Sequence, residues 1–148
     1  MMDTVRDGAA VRDVTGMDGG SLDVALSSQL HRDRALGLRD ADAAVLCRTG
    51  RDADRVRANL RRDGHPVMDL AVYDGTPVPC IKVGTVKRSK GLEFGRVYLP
   101  RIDSYACTDG TAEPERVERE RRELFVAMTR ARDGLWTSRL VPVAPLSL

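Results

Sequence analysis

The chain has 148 residues, with 24 Lys or Arg, 22 Asp or Glu and 2 His. That length suits one domain with its own core, and 42% hydrophobic with 31% charged residues exclude a disordered chain. No stretch approaches the roughly 20 apolar residues of a membrane helix, the start MMDTVRDGAA lacks the apolar centre of a secretion signal, and a net charge of +2 does not by itself indicate a nucleic-acid partner.

The opening residues are rich in Gly and Asp. They carry one short predicted strand, 9–14, and a predicted loop over 16–20. Ser21 is placed to cap a helix over 22–38, whose apolar positions are Val24, Leu26, Leu30 and Leu38. The run Ala43-Ala44-Val45-Leu46-Cys47 reads as a buried parallel strand. A helix follows over 52–62, with Val56 and Leu60 on one face, and Gly64 stands where a helix end favours positive φ. Residues 66–70 form a further candidate strand. Residues 73–80, with Gly75, Pro77 and Pro79, must be a loop.

Strands are predicted over 81–86 and 96–99, then a polar loop over 104–112. A long helix is predicted over 114–132. Pro114 suits its first turn, Val117, Arg121, Leu124, Phe125 and Met128 form its buried stripe, and Gly134 closes it. A last strand spans 135–140, ahead of a tail, VPVAPLSL. Strands alternating with helices imply a three-layer α/β/α fold on a mostly parallel sheet. The expected organisation is an N-terminal segment over 1–40 packing on the sheet, a main domain over 41–140, and a tail over 141–148.

Cys47, Cys80 and Cys107 are far apart and form no C-x-x-C pair, and His31 and His65 do not complete a metal set. We therefore expect no metal site, reduced thiols and a cytoplasmic location. Phe94, Tyr98, Phe125 and Trp136 fall in predicted core elements. Tyr73 and Tyr105 fall in loops and are the only aromatics placed to stack on bases.

Two segments carry chemistry. In Gly84-Thr85-Val86-Lys87-Arg88-Ser89-Lys90-Gly91-Leu92-Glu93-Phe94 a strand runs into a basic, polar turn and then a carboxylate. Hydroxyls and turn N–H groups there can donate to a phosphate while a cation neutralises it; a plain solvated loop is the other reading. In Glu120-Arg121-Arg122-Glu123-Leu124-Phe125-Val126-Ala127-Met128-Thr129-Arg130-Ala131 an amphipathic helix ends in Thr-Arg. Most of its charges suit i,i+4 pairing, but Arg130 lies near the helix end, where an arginine can reach a phosphate held by a neighbouring domain.

Together these segments resemble motifs V and VI of the UvrD/Rep/PcrA helicases of superfamily 1. The strand Ala44-Val45-Leu46-Cys47-Arg48-Thr49 is similar to the strand preceding motif V, and the resemblance covers about 40–140. It implies a second RecA-like domain, of the P-loop NTPase type, and a part in ATP-dependent single-stranded-DNA translocation. By position, Arg130 resembles the arginine finger that reaches ATP on the first RecA-like domain. Glu93 resembles the ribose-binding carboxylate. Thr85, Lys87 and Arg88 belong to the turn beside the DNA backbone, and Arg48 and Thr49 resemble DNA contacts. Lys90 and Gly91 shape the turn between the DNA and nucleotide surfaces, with Gly91 on the nucleotide side. Arg121 and Arg122 match the motif VI arginines, and Arg121, on the predicted stripe, is expected to pair with Glu120 or Glu93.

The chain also departs from the pattern. Lys87 stands where the family usually has His, keeping a phosphate contact but losing the ring's hydrogen-bond relay. Gly50 stands where many members have Asn. Only about fifteen residues separate His65 from Ile81, where many members carry a large inserted domain. No G-x-x-x-x-G-K-[ST] occurs, and no acidic Mg²⁺-binding motif follows a strand. ATP and Mg²⁺ are therefore expected only when a Walker-motif domain supplies the other wall, with no hydrolysis by this chain alone. Two other classes compete: a stand-alone nucleic-acid-binding or regulatory module using Arg48, Lys87 and Arg88, and a folded but inactive remnant. DNA repair is a family implication only.

Overall fold

The computed structural model describes residues 10–106, 110 and 112–141. The sequence expectations for residues 1–9, for Cys107 and the rest of 107–109, for residue 111 and for the tail over 142–148 concern positions outside the described residues.

Among the described residues six strands form one sheet: β1 (Ala10–Gly16), β2 (Ala43–Cys47), β3 (Val67–Asp69), β4 (Ile81–Thr85), β5 (Phe94–Leu99) and β6 (Ala131–Leu140). Their order is β1-β6-β5-β2-β4-β3, and every pair among them is parallel. Helices α1 (Gly19–Ala35) and α2 (Gly50–Arg62) cover one face, and α3 (Pro114–Met128) covers the other. No helix of the described residues is long and apolar enough to cross a membrane.

The central strand β2 is buried at all five positions because its two faces supply two cores. On the α1/α2 face, Val45 and Cys47 meet Leu26, Leu30, Val56, Leu60, Val83, Tyr98 and Trp136. On the α3 face, Ala44 and Leu46 meet Leu70, Val86, Phe94, Val97, Leu99 and Ala127. Lys82 is also sealed inside. Its Nζ donates to Ala41 O at 2.6 Å and Val78 O at 3.3 Å and lies 4.9 Å from the Tyr73 ring centre, so carbonyls and an aromatic face stand in for water.

Several boundaries differ from expectation. The predicted loop over 16–20 is the end of β1 and the start of α1. Asp18, not Ser21, is the cap: its Oδ1 accepts from Ser21 N at 2.7 Å. Helix α1 stops at Ala35, so Leu38 lies beyond it, and Val24 is exposed because the buried face runs through Leu22, Leu26, Leu30 and Asp33. Helix α2 begins two residues early because Thr49 caps it, Oγ1 accepting from Asp52 N at 3.2 Å. Gly64 has φ +88° as expected.

Helix α3 ends at Met128, not 132. Thr129 caps the helix and Arg130 completes the turn, since Ala131 already pairs with Phe94 in the sheet. Consequently Gly134 lies inside β6 and does not close a helix. The buried stripe is also rotated. It uses Glu120 and Ala127, with Leu124, Val126 and Met128 packed alongside, whereas Arg121 and Phe125 are exposed. Tyr105 is buried, not available for stacking, and Tyr73 is half-buried with its ring 6.2 Å from that of Phe94.

Two candidate sites on opposite edges of the sheet

A parallel sheet collects the ends of its strands on one edge and their starts on the other. At the C-terminal edge, Arg48 and Thr49 leave β2 and Thr85 leaves β4. Thr85 caps a 3₁₀ turn over Val86–Ser89, its Oγ1 accepting from Arg88 N at 3.4 Å. Thr49 and Thr85 thus use their oxygens as acceptors and keep their hydroxyl protons to donate. Lys87 and Arg88 are exposed on this turn, while Ser89 is buried with Oγ donating to Val86 O.

A cleft of about 160 Å³ separates this turn from the start of α2. It is lined by Gly50, Ala53, Arg57, Asp69, Thr85 and Arg88 among others. The first N–H groups of α2 have no intrahelical partner and lie at this end. Gly84 also lines the cleft; a Cβ there would come 2.5 Å from Leu70 Cβ, so only glycine fits. Arg57 was not foreseen. It donates to Val83 O at 3.0 Å and pairs with Asp54 and Asp69. The spacing of 50, 53 and 57 on one helix face was the available signal. Arg48 is half-buried, with its Nε enclosed and without a hydrogen-bond partner. Its charge is felt by Glu120 and Tyr105 on the α3 side of the sheet.

The N-terminal edge holds the other candidates. Glu93 directly precedes β5, and Arg130 directly precedes β6. Phe94 N donates to Arg130 O at 2.8 Å, which fixes the two positions side by side. Arg130 Nε is enclosed with no hydrogen-bond partner, so a cation is presented with spare donor capacity. Glu93 is exposed and lies 3.7 Å from Arg132 Nη1. Gly91, with φ +79°, turns the chain from the basic 3₁₀ turn toward Glu93; a side chain would be strained there. Lys90 is exposed beside it.

The expected Arg121 pair is absent: Arg132 faces Glu93, and Glu120 is taken by Arg116 at 2.8 Å and by Ala106 N at 2.7 Å. The hydrogen bonds from Arg116 and Ala106 N outweigh desolvation and hold the Glu120 carboxyl below its ordinary value. Arg121 is exposed, with Glu118 3.9 Å away, and Arg122 is exposed too.

The sequence profile of the family described as UvrD-like helicase C-terminal domain matches residues 68–141, half of the chain, and takes in both segments. The chain belongs to that family. It is 43% identical over 65 residues to YjcD of Bacillus subtilis (strain 168), which carries the name of an ATP-dependent DNA helicase. That alignment covers 39% of this chain and 9% of the relative, so this UvrD-like C-terminal domain spans a small part of the longer protein. The fold of this chain is similar to the crystal structure described as the C-terminal domain of a possible DNA helicase from Lactobacillus plantarum WCFS1. The TM-score is 0.69 at 18% identity, covering 90% of this chain and 76% of that one. Arg48 and Thr49 lie outside the family match; Thr85, Lys87, Arg88, Gly91, Glu93 and Arg130 lie within it.

Proposed function

We propose that this domain is the second RecA-like half of an ATP-dependent single-stranded-DNA translocase. Its N-terminal sheet edge would face a nucleotide held by a Walker-motif domain, and its C-terminal edge would carry part of the DNA track. The observation that carries this reading is the sorting of residues between edges. Arg130, Glu93 and Gly91 gather at one edge, and Arg48, Thr49, Thr85, Lys87 and Arg88 at the other.

Each group suits its task. Arg130, with its Nε enclosed and unpaired, is a fixed cation for charge that develops on a transferring phosphoryl group. Glu93 is an exposed acceptor for a sugar hydroxyl. On the opposite edge, two hydroxyls, helix N–H groups and the exposed Lys87 and Arg88 match a phosphate backbone. The chain has no P-loop to cradle phosphates and no acidic motif for Mg²⁺, so both would belong to the other domain.

The test is fluorescence anisotropy of a labelled single-stranded DNA titrated with this chain at two salt concentrations. Salt-sensitive binding is expected, and Lys87→Ala should lower the salt slope by about 1. No binding at roughly 100 µM chain, the weak end of non-specific affinities, would remove the DNA track from the proposal.

A further inference from the structure

A second cavity, of about 290 Å³, lies between the end of α1 and strands β5, β6 and β1, away from the residues assigned above. Its walls are apolar: Leu36 and Leu38 on the loop after α1, and Trp136 and Tyr98 on the sheet. Leu36 is 79% exposed and Leu38 41%, so both present apolar surface beside the cavity. Gly134 leaves part of the floor without a side chain.

The polar groups are sparse and unequal in charge. Arg12, Trp136 and Tyr98 stand in one row across β1, β6 and β5. Arg12 is exposed and has no ion-pair or hydrogen-bond partner among the described residues. Arg96 is only 9% exposed; its Nε donates to Tyr98 Oη at 2.8 Å and its Nη1 to Arg39 O at 3.0 Å. Its Nη2 has no protein partner there and is not sealed off. Asp33, the carboxylate in the wall, has both oxygens engaged, one by Gln29 at 2.8 Å and the other by the Tyr98 hydroxyl. Arg96 Nε also lies 3.8 Å from Asp33 Oδ2, so the wall holds one paired and one unpaired cation against one carboxylate, with free donors at Arg12, Arg96 Nη2 and the enclosed Trp136 Nε1.

We infer that this cavity binds small amphipathic anions. An apolar body lies against Leu36, Leu38 and Trp136, and one carboxylate or sulfonate head meets Arg12 and Arg96 Nη2. Apolar walls with a few converging polar groups are the usual make-up of a small-ligand site. A carboxylate head gains a charge-assisted hydrogen bond from the buried guanidinium, and burial of the body supplies the hydrophobic part. A bare anion would leave the leucines wet, and an amine would meet two like charges.

Trp136 is the only tryptophan of the chain, so the site contains its own optical probe. The experiment titrates the full chain with anilinonaphthalene sulfonate and follows energy transfer from Trp136 to the dye, with octanoate, octylamine and inorganic sulfate as competitors. The inference expects one saturable site, displaced by octanoate but by neither octylamine nor sulfate at equal concentration. Arg12→Glu, at an exposed position, should weaken dye binding roughly fivefold, the scale of one partly exposed charge contact. Leu36→Asp should weaken it further. Displacement by octylamine as effective as by octanoate would overturn the inference in favour of a merely apolar patch, and displacement by sulfate in favour of a merely basic one. Unchanged binding in both variants would overturn it as well. Unchanged thermal melting of the variants identifies loss of binding as loss of the site, not of the fold.

Discussion

At Gly84 the sequence shows only a glycine in a strand, yet its backbone passes so near Leu70 that a Cβ would sit 2.5 Å from the Leu70 Cβ. Gly84→Ala should cost about 1–3 kcal/mol by overpacking, read as a lowered denaturant midpoint with an unchanged slope. Arg130 makes the contrasting case. Its side chain makes no ion pair or hydrogen bond among the described residues, so Arg130→Ala should leave the melting temperature nearly unchanged. In a motor assembled with a Walker-motif domain, the same change should lower ATP turnover by about 10³-fold or more. Arg130→Lys should not restore it, because an ammonium lacks the planar fork. A normal turnover in Arg130→Ala would remove the finger role.

At the scale of elements, α1 is locked to the turn that follows α2 by a cluster that neither segment reveals alone. His31 and His65 stack with ring centres 4.0 Å apart. Arg34 Nη2 donates to His65 Nδ1 at 3.0 Å, His65 Nε2 bonds Ser27 Oγ at 2.9 Å, Asp40 accepts from Arg34 Nε and Nη2, and Arg34 Nη1 faces His31 Nδ1 at 3.4 Å. Burial first, then His31 and Arg34, lower the His65 pKa from 6.5, against weaker pulls from Asp63 and Asp40. The folded state thus binds the proton less tightly than the unfolded chain. The stability from neutral His65 is fully present above pH 6.5 and is lost as pH falls through the lower folded value. Denaturant midpoints from pH 8 down to about 5 should fall more steeply in the native chain than in His65→Gln. Parallel curves would show that His65 carries no such linkage.

α3 shows why an element's type is easier to read than its face. Leu124 and Met128 of the expected stripe pack on the core, but Arg121 and Phe125 are exposed, and Glu120 and Ala127 are buried in their place. What decides is the carboxylate of Glu120, held inward by Arg116 one turn before it and by Ala106 N, 14 residues away in the chain. The same reason ends α3 early: pairing of Ala131 with Phe94 commits the following residues to the sheet, overriding their helical pattern.

At the scale of the molecule, all strand pairings among the described residues are parallel and long-range, and protection should follow distance from the sheet's edges. Amides of β2 and β5, interior and buried on both faces, should exchange with deuterium most slowly. Those of β1 and β3, each paired on one side, should exchange fastest, with differences of several kcal/mol in opening free energy, or roughly 10³-fold. Uniform protection across the six strands would contradict this layering.

The sequence by itself determined the alternation of strands and helices, the buried run of β2, the turn at Gly64 and the two segments that mark the UvrD-like family. These depend on local periodicity and on short runs of residues. Only the tertiary structure decided that Arg130 and Glu93 share one edge while Arg48, Thr85 and Lys87 share the other, because strand order is set by which buried faces fit together. It likewise decided that Lys82 is sealed in the core, that Arg121 is not, and that Arg96 and Trp136 wall a cavity, since burial belongs to contacts between segments distant in the chain.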